Sequence, residues 1–246
     1  MPRRLKTPAA FLAAKVILRA MRVIVFAANG LIGRRLTERA LGRGHTVTAV
    51  SADGRSADHS NRPNSERSDQ RPDERPDKCL CLVRGDVLAP FSFEHALADQ
   101  QAVRFALDSD GSDKGHSQGM RNVLAAMAEH NVRRLICLSA GGQAQRPRGS
   151  AKQILRGLAI FRRRRHDAAT EDDLRLMEVH VRSSGIDWTI VRPARIVNKP
   201  GRGRYREGLG HEPEDGAQIA AADVADFMLD QLETDRNIGH AVTIAW

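Results

Sequence analysis

From residue 21 onward, short apolar runs alternate with amphipathic stretches. Arg22-Val23-Ile24-Val25-Phe26 is a β-branched run suited to a strand buried on both faces of a parallel sheet. Arg34 to Leu41 carries Leu36, Ala40 and Leu41 at helical spacing and ends at Gly42 and Gly44. His45 to Val50 reads as a second buried strand, which closes a βαβ unit. Residues 52–78 hold almost no large apolar side chains, three prolines and densely mixed acids and arginines. Such a stretch cannot bury enough surface to offset its ordering entropy, and a long mobile loop is expected. Cys79 to Val83 is a third strand, Ser92 to Ala98 a short helix and Ala102 to Leu107 a fourth strand. Ser117 to His130 is a helix with Met120, Val123, Leu124 and Met127 as its buried stripe. Arg134 to Leu138 is a fifth strand, Ala168 to Ser184 a helix, and Trp188 to Val191 a sixth strand stopped by Pro193. Ala220 to Leu232 is a late helix and Ala241 to Ala245 a final strand. Strands and helices alternate without an internal repeat, which predicts an α/β fold, one doubly wound domain on a parallel sheet.

Composition changes this picture in two places. The 246 residues carry a formal charge of +9, which suggests nucleic acid or a membrane surface until the charge is located. Residues 1–20 hold five basic residues and no acid, and residues 146–165 hold eight and no acid, so the rest of the chain is net acidic. The first segment has the pattern of a transit peptide or an interfacial helix, or else Met21 is the working start; residues 1–20 are set aside from the fold. The second, with its run Arg162 to Arg165, reads first as a solvated basic helix-loop, then as a lid for an anionic substrate, and last as a nucleic-acid contact. No apolar run approaches the ~20 residues of a membrane span. Three cysteines, an odd number, argue for a reduced cytoplasmic protein, with Cys79, Cys81 and Cys137 as core fillers.

The first strand runs straight into Ala27-Ala28-Asn29-Gly30-Leu31-Ile32-Gly33 and then a helix. Strand, glycine turn and helix together present backbone N–H groups and a helix N-terminus to a pyrophosphate. A glycine or two at such a turn also serves purely structural ends in many α/β proteins.

Several stretches in order resemble the atypical short-chain dehydrogenase/reductase family with its NAD(P)-binding Rossmann domain, and within it the NmrA-like and flavin reductase (biliverdin-IXβ reductase)-like branch. They are Phe26 to Gly33, Gly85-Asp86-Val87, Arg121-Asn122-Val123 with Ala125-Ala126-Met127, and Leu138-Ser139-Ala140. Ser184 to Pro193, Gly203-Arg204-Tyr205 and Ala222-Asp223-Val224-Ala225 complete the set. The resemblance implies one domain over residues 21–246, carrying the loop 52–78 and a basic insertion at 146–166. It implies a nicotinamide dinucleotide held at Ala27, Asn29, Gly30, Leu31, Ile32 and Gly33, with Asp86 and Val87 beside the adenine. Ser139 would stand near the nicotinamide as the catalytic candidate, and Pro193 would wall the substrate cleft. NADP is placed ahead of NAD through Arg55, which would take the 2′-phosphate, while Asp53 would instead bond the ribose hydroxyls of NAD. Ala27 stands where the family has its first glycine. Asp108 and Asp110 bring carboxylates where the family has a small residue, at a cost on the order of a kcal/mol against a pyrophosphate.

The catalytic Tyr-x-x-x-Lys pair of the short-chain dehydrogenases is absent; Tyr205 is the only tyrosine and lies elsewhere. The resembled flavin reductases work without it, so hydride transfer to a small planar acceptor such as a flavin or quinone-like compound is the expected activity. A non-catalytic NAD(P)-sensing NmrA-like regulator, or a relative that has lost the cofactor, is the alternative. Ser139 also fits a plain strand-end hydroxyl. His116, His166, His180 and His211 lie in polar contexts, and Glu171, Asp172 and Asp173 are expected to open a helix where carboxylates favour the dipole. No metal-ligand set is found.

Overall fold

In a computed structural model the described residues are 20–54, 79–106, 115–139, 157–210 and 217–246, with 157–169 described as helix backbone alone. Arg55, Asp108, Asp110, His166, His211 and the expectations for residues 1–19, for the loop from 55 on and for the basic side chains of 146–166 lie outside them.

The alternation produces the expected sheet. The strands β1 (Arg22–Phe26), β2 (Thr46–Ser51), β3 (Leu80–Arg84), β4 (Ala102–Phe105), β5 (Arg134–Leu138), β6 (Asp187–Pro193), β8 (Arg206–Leu209) and β10 (His240–Ala245) form one sheet in the order β3-β2-β1-β4-β5-β6-β10-β8. All neighbours are parallel except β8, which runs antiparallel to β10 at the edge. The order reverses direction between β1 and β4, the switch point at which doubly wound sheets open a crevice. A separate parallel pair joins β7 (Arg195–Val197) to β9 (Gln218–Ala220).

Four helices cover the two faces, because side chains alternate along each strand and both sets are apolar. Val23 and Val25 face α1 (Leu31–Gly42) and α4 (Ala221–Asp230), through Ile32, Leu36, Ala40, Val224 and Met228. Ile24 and Phe26 face the other way, into a core completed by α2 (His116–Glu129) and α3 (Gly157–Arg182) through Met120, Val123, Met127, Met177 and Val181. Phe26 meets Phe93 edge-on at 5.1 Å between ring centroids.

Several elements differ from the sequence reading, each for a local reason. Residues 92–98 form no helix; Phe93, Ala96 and Leu97 are instead anchored by two 3-10 turns, Pro90–Ser92 and Glu94–Leu97. The helix expected from 168 begins at Gly157. β6 takes in Arg192 and Pro193 and ends at Pro193. The Val191 carbonyl accepts from Ser139 N, so by alternation the Pro193 nitrogen faces the same way, past the end of β5, and Ala194 N bonds to Ile244 O at 2.9 Å. Cys137 is buried, but Cys81 is exposed on the edge strand β3 and fills no core. His116 is buried rather than set in a polar surface.

One buried residue breaks the apolar rule. Arg104 sits in the middle of β4, opposite Val25 and Ile136, on the face covered by α1 and α4, and is fully buried. None of its three guanidinium nitrogens has a hydrogen-bond partner among the described residues. The acids of α4 are engaged by α1 instead: Asp226 pairs with Arg39 at 2.5 Å and Asp230 with Arg43 at 2.7 Å. Burial, and then the charges of Arg134 and Arg43, push the Arg104 guanidinium well below its ordinary value. His45 is buried too. Its Nδ1 accepts from Met21 N at 3.2 Å, its Nε2 has no partner among the described residues, and burial with the charges of Arg104 and Arg43 lowers its pKa.

Two outcomes follow for stability. Replacing an uncompensated buried charge with an apolar group of similar volume is commonly stabilising, so Arg104→Met should raise the unfolding free energy by about 1–4 kcal/mol, read from urea midpoints. Because folding favours neutral His45, its contribution is fully present above the unfolded value of 6.5 and is lost as pH falls below it. Arg104→Met should shrink that acid loss by removing one of the charges that lowers His45. A stability profile between pH 7 and 5 checks this, and an unchanged slope would count against the assignment.

Candidate functional site

The turn after β1 is built around one close approach. Ala27 adopts φ +56°, its carbonyl accepts from Gly30 N at 3.0 Å, and Ala28 N bonds back to Val50 O at 3.1 Å. A Cβ on Gly33 would lie 2.0 Å from the Ala27 carbonyl oxygen, so only glycine lets α1 start this near the strand. Gly30 is the N-cap at φ −70°, ψ 170°, a conformation open to any residue. Ile32 is fully buried in the core, so its side chain is not available to a ligand, whereas Asn29 and Leu31 are exposed.

Gly30 offers no side-chain cap and no acid lies in the first turn of α1. The other helices with fully described first turns are treated differently. The Asp173 carboxylate, from the middle of α3, accepts from His116 N at 2.8 Å, from Ser117 N at 3.3 Å and from the Ser117 hydroxyl, closing the N-terminus of α2. Burial works to raise the Asp173 pKa, but these bonds and the His116 charge outweigh it and leave it below its ordinary value. The acids at 171–173 therefore lie inside a helix instead of opening one, and Asp173 serves the dipole of its neighbour. In α4, Asp223 lies in the first turn and accepts from Arg202 N, Gly203 N and Trp246 Nε1 at 2.9, 3.0 and 2.8 Å.

The other strand ends converge on the same edge of the sheet. After β2, Asp53 Oδ1 accepts from the Ser51 hydroxyl at 2.9 Å and from Asn29 Nδ2 at 3.4 Å, which ties the end of β2 to the turn. After β3, Asp86 Oδ1 accepts from Leu88 N at 2.9 Å, and Val87 is fixed by Asn122, whose Nδ2 donates to its carbonyl at 2.8 Å. After β5 comes Ser139, nearly buried, with its N–H donating to Val191 O at 2.9 Å. After β6, Pro193 and Ala194 are buried, and further on Asn198 Oδ1 accepts from Arg35 NH2 at 2.9 Å. Beside the turn a cavity of about 230 Å³ opens between Asn29, Leu31, Arg34, Arg35, Glu38 and Asn198.

The sequence reading thus brings Ala27 to Gly33, Asp53, Asp86, Val87, Ser139 and Pro193 to one edge. It missed Glu178. This residue is buried on α3 and bidentate to Arg192 of β6, with Nε to Oε1 at 2.8 Å and NH2 to Oε2 at 2.5 Å; Arg182 adds a contact at 3.4 Å. Burial works to raise its pKa, but the bonds from Arg192 and Ser139 and the charges of Arg192 and Arg182 hold it below the ordinary value. The signal was present. Leu174, Met177, Glu178 and Val181 share one helical face, so an acid lies on a buried stripe, and Arg192 interrupts an apolar strand. Tyr205 is remote from this group, with its hydroxyl on Asp230 and its ring against Phe227 on the opposite face of the sheet.

A glycine turn between β1 and α1 at the switch point of a doubly wound parallel sheet is the layout of the Rossmann class. The model of the NAD(P)H-binding family matches residues 27–235, and the chain belongs to that family. Solved structures share the fold. A proposed exported protein from Burkholderia pseudomallei is 22% identical, over 92% of this chain and 100% of that one, with a TM-score of 0.67. A wide-type short-chain dehydrogenase/reductase from Veillonella parvula, solved in complex with NADP, is 18% identical over 93% and 95%, with a TM-score of 0.67. A proposed NADH-flavin reductase from Streptococcus pneumoniae is 20% identical over 92% and 99%, with a TM-score of 0.62. No helix among the described residues is long and apolar enough to cross a membrane, and no group of three metal-ligating side chains occurs among them.

The turn itself is testable. Gly33→Ala should cost at least about 2 kcal/mol, since the methyl group meets backbone that cannot yield. Ala27→Gly should stabilise by about 0.5–1 kcal/mol by relieving a left-handed alanine. Urea unfolding midpoints of the two variants should move in opposite directions.

Proposed function

We propose that this chain is an NAD(P)H-dependent oxidoreductase that reduces a small planar acceptor such as a flavin or a quinone-like compound. The observation that carries the reading is the close-packed strand-to-helix turn from Ala27 to Gly33, where only glycine fits at position 33, on the edge that also gathers Asp53, Asp86, Val87, Ser139 and Pro193. A pyrophosphate would lie over the backbone of Asn29 to Gly33, the adenosine half toward the ends of β2 and β3, and the nicotinamide half toward Ser139 and Pro193. When bound, a reduced nicotinamide supplies a hydride. The chain's own part is to orient that ring against a second planar molecule and keep water from between them. Ser139 is the hydroxyl assigned to that orientation, and no paired tyrosine and lysine stand beside it among the described residues.

The choice between dinucleotides turns on Asp53. A carboxylate about twenty residues beyond the last glycine of the turn is the usual partner of a free ribose 2′-hydroxyl and repels a 2′-phosphate. Asp53 is tied to Asn29 and Ser51 in that place, which supports NAD over the NADP preference suggested by Arg55. A second reading, an NmrA-like sensor that binds the dinucleotide without turnover, is favoured by the lack of a tyrosine beside Ser139, since the only tyrosine, Tyr205, bonds Asp230 elsewhere.

The test is steady-state turnover of NADH and NADPH with FMN or dichlorophenolindophenol, alongside direct titration by nicotinamide fluorescence. The oxidoreductase reading expects NADH consumption with at least one acceptor; binding without turnover assigns the sensor, and no binding rejects both. Asp53→Ser should weaken NADH by about tenfold and narrow the preference over NADPH.

A further inference from the structure

The cavity beside the turn offers mostly hydrogen-bond donors. It holds about 230 Å³ between the first two turns of α1 and the chain just past β7, and its polar lining is Asn29, Arg34, Arg35, Glu38 and Asn198. Arg35 NH2 donates to Asn198 Oδ1 at 2.9 Å. A guanidinium only donates, so the amide oxygen is the engaged atom and the N–H2 of Asn198 is left for another acceptor. Arg35 Nε is buried with no partner among the described residues. Arg34 makes neither a hydrogen bond nor an ion pair among them, although Glu38 stands one turn further along the helix. Two guanidiniums and an amide N–H2 therefore face a single carboxylate, and the cavity carries an excess of positive charge. Its size limits what can enter. The space exceeds the roughly 30 Å³ of one water several-fold, yet falls short of the roughly 300–1,000 Å³ that takes a whole drug-sized ligand. It admits an anionic group but not the ring system attached to one.

We propose that this cavity takes the phosphate of a phosphorylated planar acceptor, with Arg34 and Arg35 as the residues that select it. This rests on the acceptor reading given above. There Pro193 walls the acceptor's cleft, and Asn198 follows on the same segment of chain. Of Ala27 to Gly33 only Asn29 and Leu31 line the cavity, which sets it beside, not over, the backbone assigned to the pyrophosphate. Phosphate suits the donor set better than a carboxylate does. A phosphomonoester brings three acceptor oxygens and about two negative charges near neutral pH, enough to meet two guanidinium forks at once. A carboxylate has two oxygens and fills one fork. The acceptor's ring would lie toward Ser139 and Pro193, and its tail toward α1.

The experiment compares FMN with riboflavin, which lacks only the phosphate. Binding is read by quenching of flavin fluorescence, so turnover is not required. The wild-type protein should bind FMN at least about tenfold more tightly than riboflavin, the worth of charge-assisted hydrogen bonds to one phosphate. Inorganic phosphate should weaken FMN and leave riboflavin unchanged. Arg34→Ala should bring the two affinities to within about threefold of each other. Asn198→Asp separates recognition from folding: the new carboxylate still accepts from Arg35, but it puts a negative charge where the amide N–H2 stood, and it should also remove the preference. Equal binding of the two flavins by the wild-type protein overturns the inference and leaves the oxidoreductase reading standing, as does a preference that survives both substitutions. A preference that disappears when NAD+ or NADP+ is saturating assigns the cavity to the dinucleotide's own phosphates and overturns the inference too. Failure of both flavins to bind overturns it as well, while NADH turnover with dichlorophenolindophenol judges the oxidoreductase reading separately.

Discussion

A parallel sheet covered on both faces has a single edge to which the chain must repeatedly return. Every strand from β1 to β6 ends there, and every helix that follows one begins there, so backbone donors without partners accumulate at that edge. The chain resolves this helix by helix. α2 is closed by a carboxylate borrowed from α3, and Asp223 lies in the first turn of α4. At α1 the close approach of Gly33 to the Ala27 carbonyl keeps the helix hard against the strand.

Charge inside the protein is handled in two contrasting ways. Glu178 is buried with a bidentate partner, Arg192, so its desolvation is met by directed bonds, and it links α3 to β6 near the end of the cleft. Arg104 is buried as deeply with no comparable partner among the described residues, under helices whose acids already serve Arg39 and Arg43. The first arrangement organises a site. The second is a standing cost to the core, and nothing in the structure explains what it brings.

Much of the fold was legible because it depends on patterns local to each element. β1 and β5 fall on the residues their apolar runs indicate, and the stripe of Met120, Val123 and Met127 lies buried on α2 as its spacing requires. The turn from Ala27 to Gly33 was legible as a strand-to-helix turn because two glycines three residues apart separate an apolar run from a helical spacing. What escaped depends on partners distant in sequence. β7, β8 and β9 are three or four residues long, too short to show a period, and exist because a neighbour offers hydrogen bonds. β6 takes in Pro193 as its last residue because β5 has already ended. Asp173 looked like the start of its own helix and proved to cap another 56 residues away. Glu178 and Arg192 each read as an exception to an apolar pattern, and pairing the two exceptions is the step the sequence invited.

The way the sheet terminates at β8 bears on how the molecule behaves among its own copies. An unpaired parallel edge is an invitation to another chain's strand. Here the last strand is only four residues long, reversed in direction, and mostly exposed with Arg206 and Glu207 on it. Arg206 is turned back to the Trp246 carbonyl, and Glu207 approaches Arg236 at 3.9 Å. A short, charged, antiparallel strip is a poor template for continuing the sheet.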